Sequence, residues 1–184
     1  MFIQTEDTPN PATLKFLPGC TVMETGTASF SGMDEAARSP LAQRLLAISG
    51  VASVFLGSDF ISVTKSADRD WPVLRAPLLA AIMEHFTTGQ PVLLDPQQAL
   101  PEHGNQGDND EIATQIRELL DTRIRPAVAQ DGGDITFQRF EDGVVYLTMK
   151  GACAGCPSST ATLKGGIENM LRHYIPEVTE VRAA

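Results

Sequence analysis

Two cysteines three positions apart, Cys153 and Cys156, carry the clearest chemistry in this chain. They lie in Gly151-Ala152-Cys153-Ala154-Gly155-Cys156-Pro157-Ser158-Ser159, between an apolar strand-like run and a helix start. Two thiolates on one tight loop can grip a single metal ion, but tetrahedral iron or zinc sulfur sites take four ligands. The chain holds one further cysteine, Cys20, far upstream. It completes no four-thiolate site by itself unless Cys20 folds back and a non-cysteine group joins. Two copies of the chain, each giving one pair, would complete it. That arithmetic points to a metal or cluster bound between subunits.

The loop's composition suits such a half-site. Gly151 and Gly155 allow turns that set both sulfurs on one side. Amides near a helix N-terminus favour negative charge, so both thiols are expected to ionise readily. Small Ala152 and Ala154 are expected to leave the sulfurs open to a partner, as a releasable cluster requires. Pro157 fixes the exit direction without losing a needed hydrogen bond. By spacing alone three chemistries stay open: a bridging iron–sulfur cluster, a dithiol cycling a Cys153–Cys156 disulfide, and a zinc shared by two chains. Against the dithiol, Gly151-Ala152 precedes the pair, no aromatic flanks it and no βαβ pattern surrounds it. Against a single-chain zinc, no second Cys or His pair stands at short spacing.

The elements that must position this loop can be read from periodicity. Residues 95–109 are rich in Pro, Gly, Asn and Gln, a linker composition. The chain is therefore expected to form two small α+β domains, 1–94 and 108–184, joined by a flexible linker over 95–107. In the first, Thr13 to Leu17 is extended. Ser39-Pro40 caps a helix with Leu41, Leu45 and Ile48 on one face. Val51 to Leu56 and Phe60 to Thr64 are strands about Gly57-Ser58-Asp59. Asp70-Trp71-Pro72 opens a helix with Trp71, Leu74, Leu78, Ile82 and Phe86 as its buried stripe.

In the second domain Asp108 or Asp110 is the expected cap of a helix bearing Ile112, Ile116, Leu119, Leu120 and Ile124. That helix is expected to break near Pro126 or to continue as a short piece to Gln130. Asp131-Gly132-Gly133-Asp134 turns the chain. Ile135 to Phe140 and Val144 to Lys150 form a hairpin about Asp142-Gly143. After the Cys loop, Ser158 or Ser159 caps a helix with Leu163, Ile167, Met170, Leu171 and Tyr174 on one face. Val178 to Arg182 is a last strand, and the helices pack on one face of the sheet.

Other residues invite chemical readings that their settings do not favour. Cys20 follows Pro18-Gly19 and reads as an incidental thiol. His173 falls about 25 Å along its helix from the Cys loop, too far for a ligand. His85 and His103 read as solvated. Asp131 and Asp134 read as turn residues, Lys164 as part of a solvated helix face, and Trp71 as core.

Composition narrows the function classes. The net charge of −9 is spread as −3 over residues 1–88, −2 over 89–107 and −4 over 108–184. No segment is basic, which argues against nucleic-acid binding. No run has the apolar length of a membrane span. Three cysteines in 184 residues make no secreted disulfide framework. The residues from Met1 to Asn10 read as neither secretory nor transit peptide. A bacterial cytoplasmic protein is the expectation.

The segment from about Asp108 to Val181 resembles the NifU C-terminal (Nfu-type) domain. The resemblance rests on Asp131-Gly132-Gly133-Asp134, the hairpin, and the Cys loop leading into a helix. The first segment resembles the N-terminal domain of Nfu-type proteins through Thr8-Pro9-Asn10-Pro11-Ala12-Thr13-Leu14-Lys15-Phe16, Ser39-Pro40-Leu41-Ala42 and Asp59-Phe60-Ile61-Ser62-Val63. Together they cover nearly the whole chain outside the linker. The resemblance implies iron–sulfur cluster assembly. A cluster, usually [4Fe-4S] and alternatively [2Fe-2S], would be received from an upstream donor and held by Cys153 and Cys156 of two subunits. It would then pass to apo-proteins, with no bond catalytically turned over and hence no enzyme activity. The chain lacks the scaffold and ferredoxin-like domains of the longer nitrogen-fixation proteins, which implies a late carrier. The rival from another class is a dithiol–disulfide oxidoreductase.

Overall fold

Period-two alternation of apolar residues builds the first of two units, Met1–Leu100. The computed structural model describes residues 1–95, 111–155 and 157–184, the first three of the last stretch by backbone alone. Five strands, β1 (Gln4–Asp7), β2 (Thr13–Leu17), β3 (Ala28–Phe30), β4 (Val51–Leu56) and β5 (Ile61–Lys65), form an antiparallel sheet ordered β1-β2-β5-β4-β3. The register sets Leu14 against Val63 and Phe16 against Ile61, and Val54 and Leu56 extend the row to Phe30 and Ala28. That face is covered by α1 (Met33–Ala36), α2 (Pro40–Leu46) and α3 (Trp71–Thr88), through fully buried Leu41, Leu45, Leu74, Leu78 and Ile82.

Local chemistry fixes where α2 starts. Ser39 Oγ accepts the Ala42 N–H at 3.1 Å, Pro40 stands at the first helical position, and the Ser39 hydroxyl donates to the Val92 carbonyl at 2.6 Å. The edge strands β1 and β3 and the short α1 have no counterpart in the sequence reading, because β1 is polar and largely exposed and β3 is only three residues long. At the start of α3, the Asp70 side chain makes no capping hydrogen bond. Trp71 is half-buried at the rim rather than core, its indole N–H donating to the Pro11 carbonyl at 3.0 Å.

The second unit, Pro101–Ala184, begins with α4 (Glu111–Leu119), which passes through a π-helical turn, Leu120–Ile124, into α5 (Arg125–Gln130). Pro126 accounts for the turn. It lacks an N–H, and its ring would press on the carbonyl four residues back. The ladder slips instead, and the Arg125 N–H reaches the Leu120 carbonyl five residues behind. Strands β6 (Gly133–Glu141) and β7 (Val144–Gly151) make the expected hairpin, with Asp142 and Gly143 both at positive φ (50° and 80°). Helix α6 (Pro157–Tyr174) then carries the chain to β8 (Glu180–Ala183), which lies parallel to β7.

A β-α-β unit therefore does surround the Cys loop, contrary to the sequence reading. Strand, helix and last strand were each expected; the parallel pairing of β8 with β7 is what periodicity does not encode. The core joins Ile116, Leu120, Ile124 and Val128 to Ile135, Phe137, Val145, Leu147, Ile167, Leu171 and Val181. Tyr174, expected on the buried face of α6, is 47 % exposed, and Ile175 is buried in its stead. Tyr174 instead lies under the Arg123 guanidinium, 5.3 Å from its ring centre. The caps Asp108 and Asp110, His103 and the linker from residue 96 lie outside the described residues. Both units are α+β.

Candidate functional site

The Cys loop hangs between the end of β7 and the start of α6, and its floor is the start of β6. Gly133 and Gly151 face each other across the hairpin. The Ala152 N–H donates to the Gly132 carbonyl at 3.1 Å and the Ala154 N–H to the Gly151 carbonyl at 3.1 Å. On the helix side the Thr160 hydroxyl donates to the Cys153 carbonyl at 3.3 Å. Gly151 sits at φ 63° and Gly155 at φ 79°, where a side chain would be strained. These turns are the ones expected from the sequence.

The state of Cys153 is not. Its residue is 5 % exposed and belongs to the hydrophobic core of the unit. Ala152 is also buried, while Ala154 and Gly155 are exposed. The expected openness therefore holds for the tip of the loop and fails for this sulfur. Its ionisation is also opposite to expectation. Burial pushes the Cys153 thiol up to about 12, and the carboxylates of Asp131 and Asp134 add to the rise. Loss of solvation outweighs whatever the α6 amides supply. Cys156 lies outside the described residues, as do the side chains of Ser158 and Ser159.

Behind the floor stands a buried ion pair that the sequence reading missed. Asp134, read as a turn residue, is 4 % exposed. Arg125 donates to it through Nε at 2.9 Å and Nη2 at 3.0 Å, and through Nη1 to Asp121 at 3.2 Å. The Ile135 N–H supplies a further bond to Asp134 Oδ1 at 2.8 Å. The hydrogen bonds that the Asp134 carboxylate accepts raise the Arg125 pKa beyond its usual value against the opposing effect of burial. Lys150, across the ladder from Asp134, is held below the ordinary lysine value by burial and by Arg125, with Asp134 opposing. A carboxylate at the buried start of an apolar strand demands a partner, and that demand was the available signal. The partner's identity, nine residues upstream at the far end of α5, was not readable.

The other candidates are placed as follows. His85, expected to be solvated, is fully buried on α3, with no hydrogen-bond partner at either ring nitrogen. Burial lowers its pKa and Arg44 lowers it further. His173 is exposed. Lys164 pairs with Glu180 of β8 at 3.8 Å. Cys20 is exposed, in an open groove with Phe2, Leu17 and Asp59 of the first unit. Among the described residues, no group of three or more His, Cys, Asp or Glu could hold a metal ion. Nor is any described helix long and apolar enough to cross a membrane.

Two family models match. Residues 3–89 match the scaffold protein Nfu/NifU N-terminal domain, and residues 116–182 match the NifU-like domain. The chain is 52 % identical to the mitochondrial NifU-like protein 4 of Arabidopsis thaliana, over 98 % of this chain and 65 % of that protein. It is also 52 % identical to the human mitochondrial NFU1 iron-sulfur cluster scaffold homolog, over 98 % of this chain and 71 % of that one. The chain thus spans about two thirds of the length of these relatives. The solution structure of a NifU-like protein from Saccharomyces cerevisiae overlaps 52 % of this chain and 86 % of its own, at 25 % identity and a TM-score of 0.47. The mitochondrial names of the plant and animal relatives overturn the expected bacterial cytoplasmic setting. Three cysteines and a net charge of −9 suit any reducing compartment equally, so composition could not separate one from another.

Proposed function

This chain belongs to the Nfu family of NifU-like proteins, and from that premise we propose that it is an iron–sulfur cluster assembly protein. Cys153 and Cys156 give two ligands, a second copy gives two more, and the shared cluster, [4Fe-4S] in this reading, is cargo. The observation that carries the proposal is the CxxC pair on a loop whose floor and flanks are fixed by β6, β7 and α6. It lies in a domain with no further cysteine. The proposed domains are 1–94 and 108–184, with 95–107 between them.

Delivery is ligand exchange. A target thiolate bonds to iron as the bond to Cys153 or Cys156 breaks. The freed thiolate takes up the proton that the target thiol gave up, and iron keeps its oxidation state. No substrate bond is turned over. The upstream donor fills the dimer by the same exchange in reverse, and the first domain recognises targets.

Transfer of a reconstituted cluster to an apo-target, followed by visible absorption with an iron chelator present, tests this. Loading and transfer should proceed despite the chelator and fail in Cys153→Ser and Cys156→Ser. Transfer abolished by the chelator would mean that iron travels free, and transfer to every target unchanged by deletion of residues 1–94 would remove the recognition role.

A further inference from the structure

The thiol meant to bind the cluster is tucked into the core of its own domain, and the backbone opposite is shaped to receive it. A Cβ built at Gly133 would stand 2.4 Å from Cys153 Sγ, 2.9 Å from the Lys150 carbonyl and 3.0 Å from the Cys153 N–H nitrogen. No real Cβ tolerates the first of these. Gly133 is therefore the one residue type at this place that leaves room for the sulfur. Its position is fixed from both sides. The Gly132 carbonyl is bonded to Ala152, and the next residue, Asp134, is held by the Arg125 fork.

We propose that Gly133, backed by the Arg125–Asp134 pair, is a positioning residue that seats the Cys153 thiol inward in the cluster-free chain, and that cluster loading requires the sulfur to turn out of this seat. This rests on the proposed function for the meaning of loading, though not for the seat itself. Two consequences follow from the geometry. A sulfur packed against a glycine, on a residue 5 % exposed within a cluster of buried Ile, Val and Leu, offers little surface to oxidants or alkylating reagents. And a thiolate ligand cannot reach iron outside the fold from that place, so the loop must move first. Gly151, at a φ of 63° where the loop leaves β7, and Gly155, at 79°, are the glycine pivots on either side of it.

The experiment is alkylation of the metal-free, reduced full-length chain with iodoacetamide, each cysteine read by peptide mass spectrometry in native buffer and in denaturant. Cys20, which is exposed, serves as the internal standard. Cys153 should react roughly tenfold or more slowly than Cys20 in the native chain and at a similar rate in denaturant. Gly133→Ala should abolish most of that protection while leaving Cys20 unchanged. Melting temperatures give a second readout. Gly133→Ala should lower the melting temperature less in a Cys153→Ala background, where no sulfur meets the new methyl group, and equal losses in both backgrounds would overturn the seat. Native Cys153 reacting as fast as Cys20 would overturn it too. Neither result touches the cluster reading, whose own failure is a wild-type chain that takes up no iron and sulfide while Cys153 remains protected.

Discussion

Two buried polar side chains, one in each unit, are accommodated in opposite ways. In the first, His85 is fully buried with both ring nitrogens unpartnered and is kept neutral by desolvation. In the second, Asp134 is almost as deeply buried but charged, and it is answered by a two-pronged guanidinium and a backbone N–H. A neutral buried imidazole costs some stability and fixes nothing in particular. A buried ion pair of this geometry fixes one arrangement, because neither partner can leave without stranding the other. The ordered pair lies under the Cys loop, and the buried imidazole lies in the unit with the larger core. The Arg125–Asp134 pair thus anchors the strand beneath the Cys loop, whereas the buried imidazole of His85 anchors nothing by hydrogen bonds.

Arg125→Leu should break this contrast most severely. It strips the buried Asp134 of its two-pronged guanidinium partner, with an expected loss of about 3–5 kcal/mol from the second unit. Arg125→Leu with Asp134→Leu should recover much of that loss. Chemical denaturation of the three variants checks both, and a double variant as unstable as the single one would mean that the pair is not the relevant unit. Ser39→Ala is a smaller test in the other unit. It removes the α2 cap and the bond to Val92 and should cost about 1 kcal/mol, with Cys153 alkylation unaffected. The smallest expected effect is acid sensitivity of the first unit. The folded pKa of His85 lies below its ordinary 6.5, so the unfolded chain takes up a proton that the folded one refuses. Stability is complete above 6.5 and falls as pH drops from there through the lowered value. The charged group acting on His85 is Arg44 of α2, which pairs with Glu84 of α3 at 2.8 Å. His85→Leu should flatten thermal melts of the first unit between pH 7 and 5, and an unchanged slope would contradict the assignment.

Much of this was legible in the chain. The hairpin about Asp142-Gly143, the Ser39-Pro40 cap and the apolar alternation of β2, β4 and β5 are local signals, and they appear where periodicity puts them. Strands β1 and β3 were not legible, because an exposed polar edge carries no alternation to read. The Cys loop was found by residue type, but its state was not. Whether Cys153 faces solvent or core depends on what lies opposite, and the residue opposite is a glycine twenty positions upstream in another strand. Arg125 and Asp134 were visible as residues and invisible as a pair for the same reason. Tertiary register, which sequence periodicity does not encode, brings them together.

The central claim is that two chains share one cluster through Cys153 and Cys156, and anaerobic reconstitution tests it most directly. Iron and sulfide are counted per chain alongside the solution mass, for the wild type and for Cys153→Ser. The account predicts a coloured dimer with about two irons and two sulfides per chain, both lost in the variant. A colourless monomer that binds no metal and forms a reversible Cys153–Cys156 disulfide would contradict it.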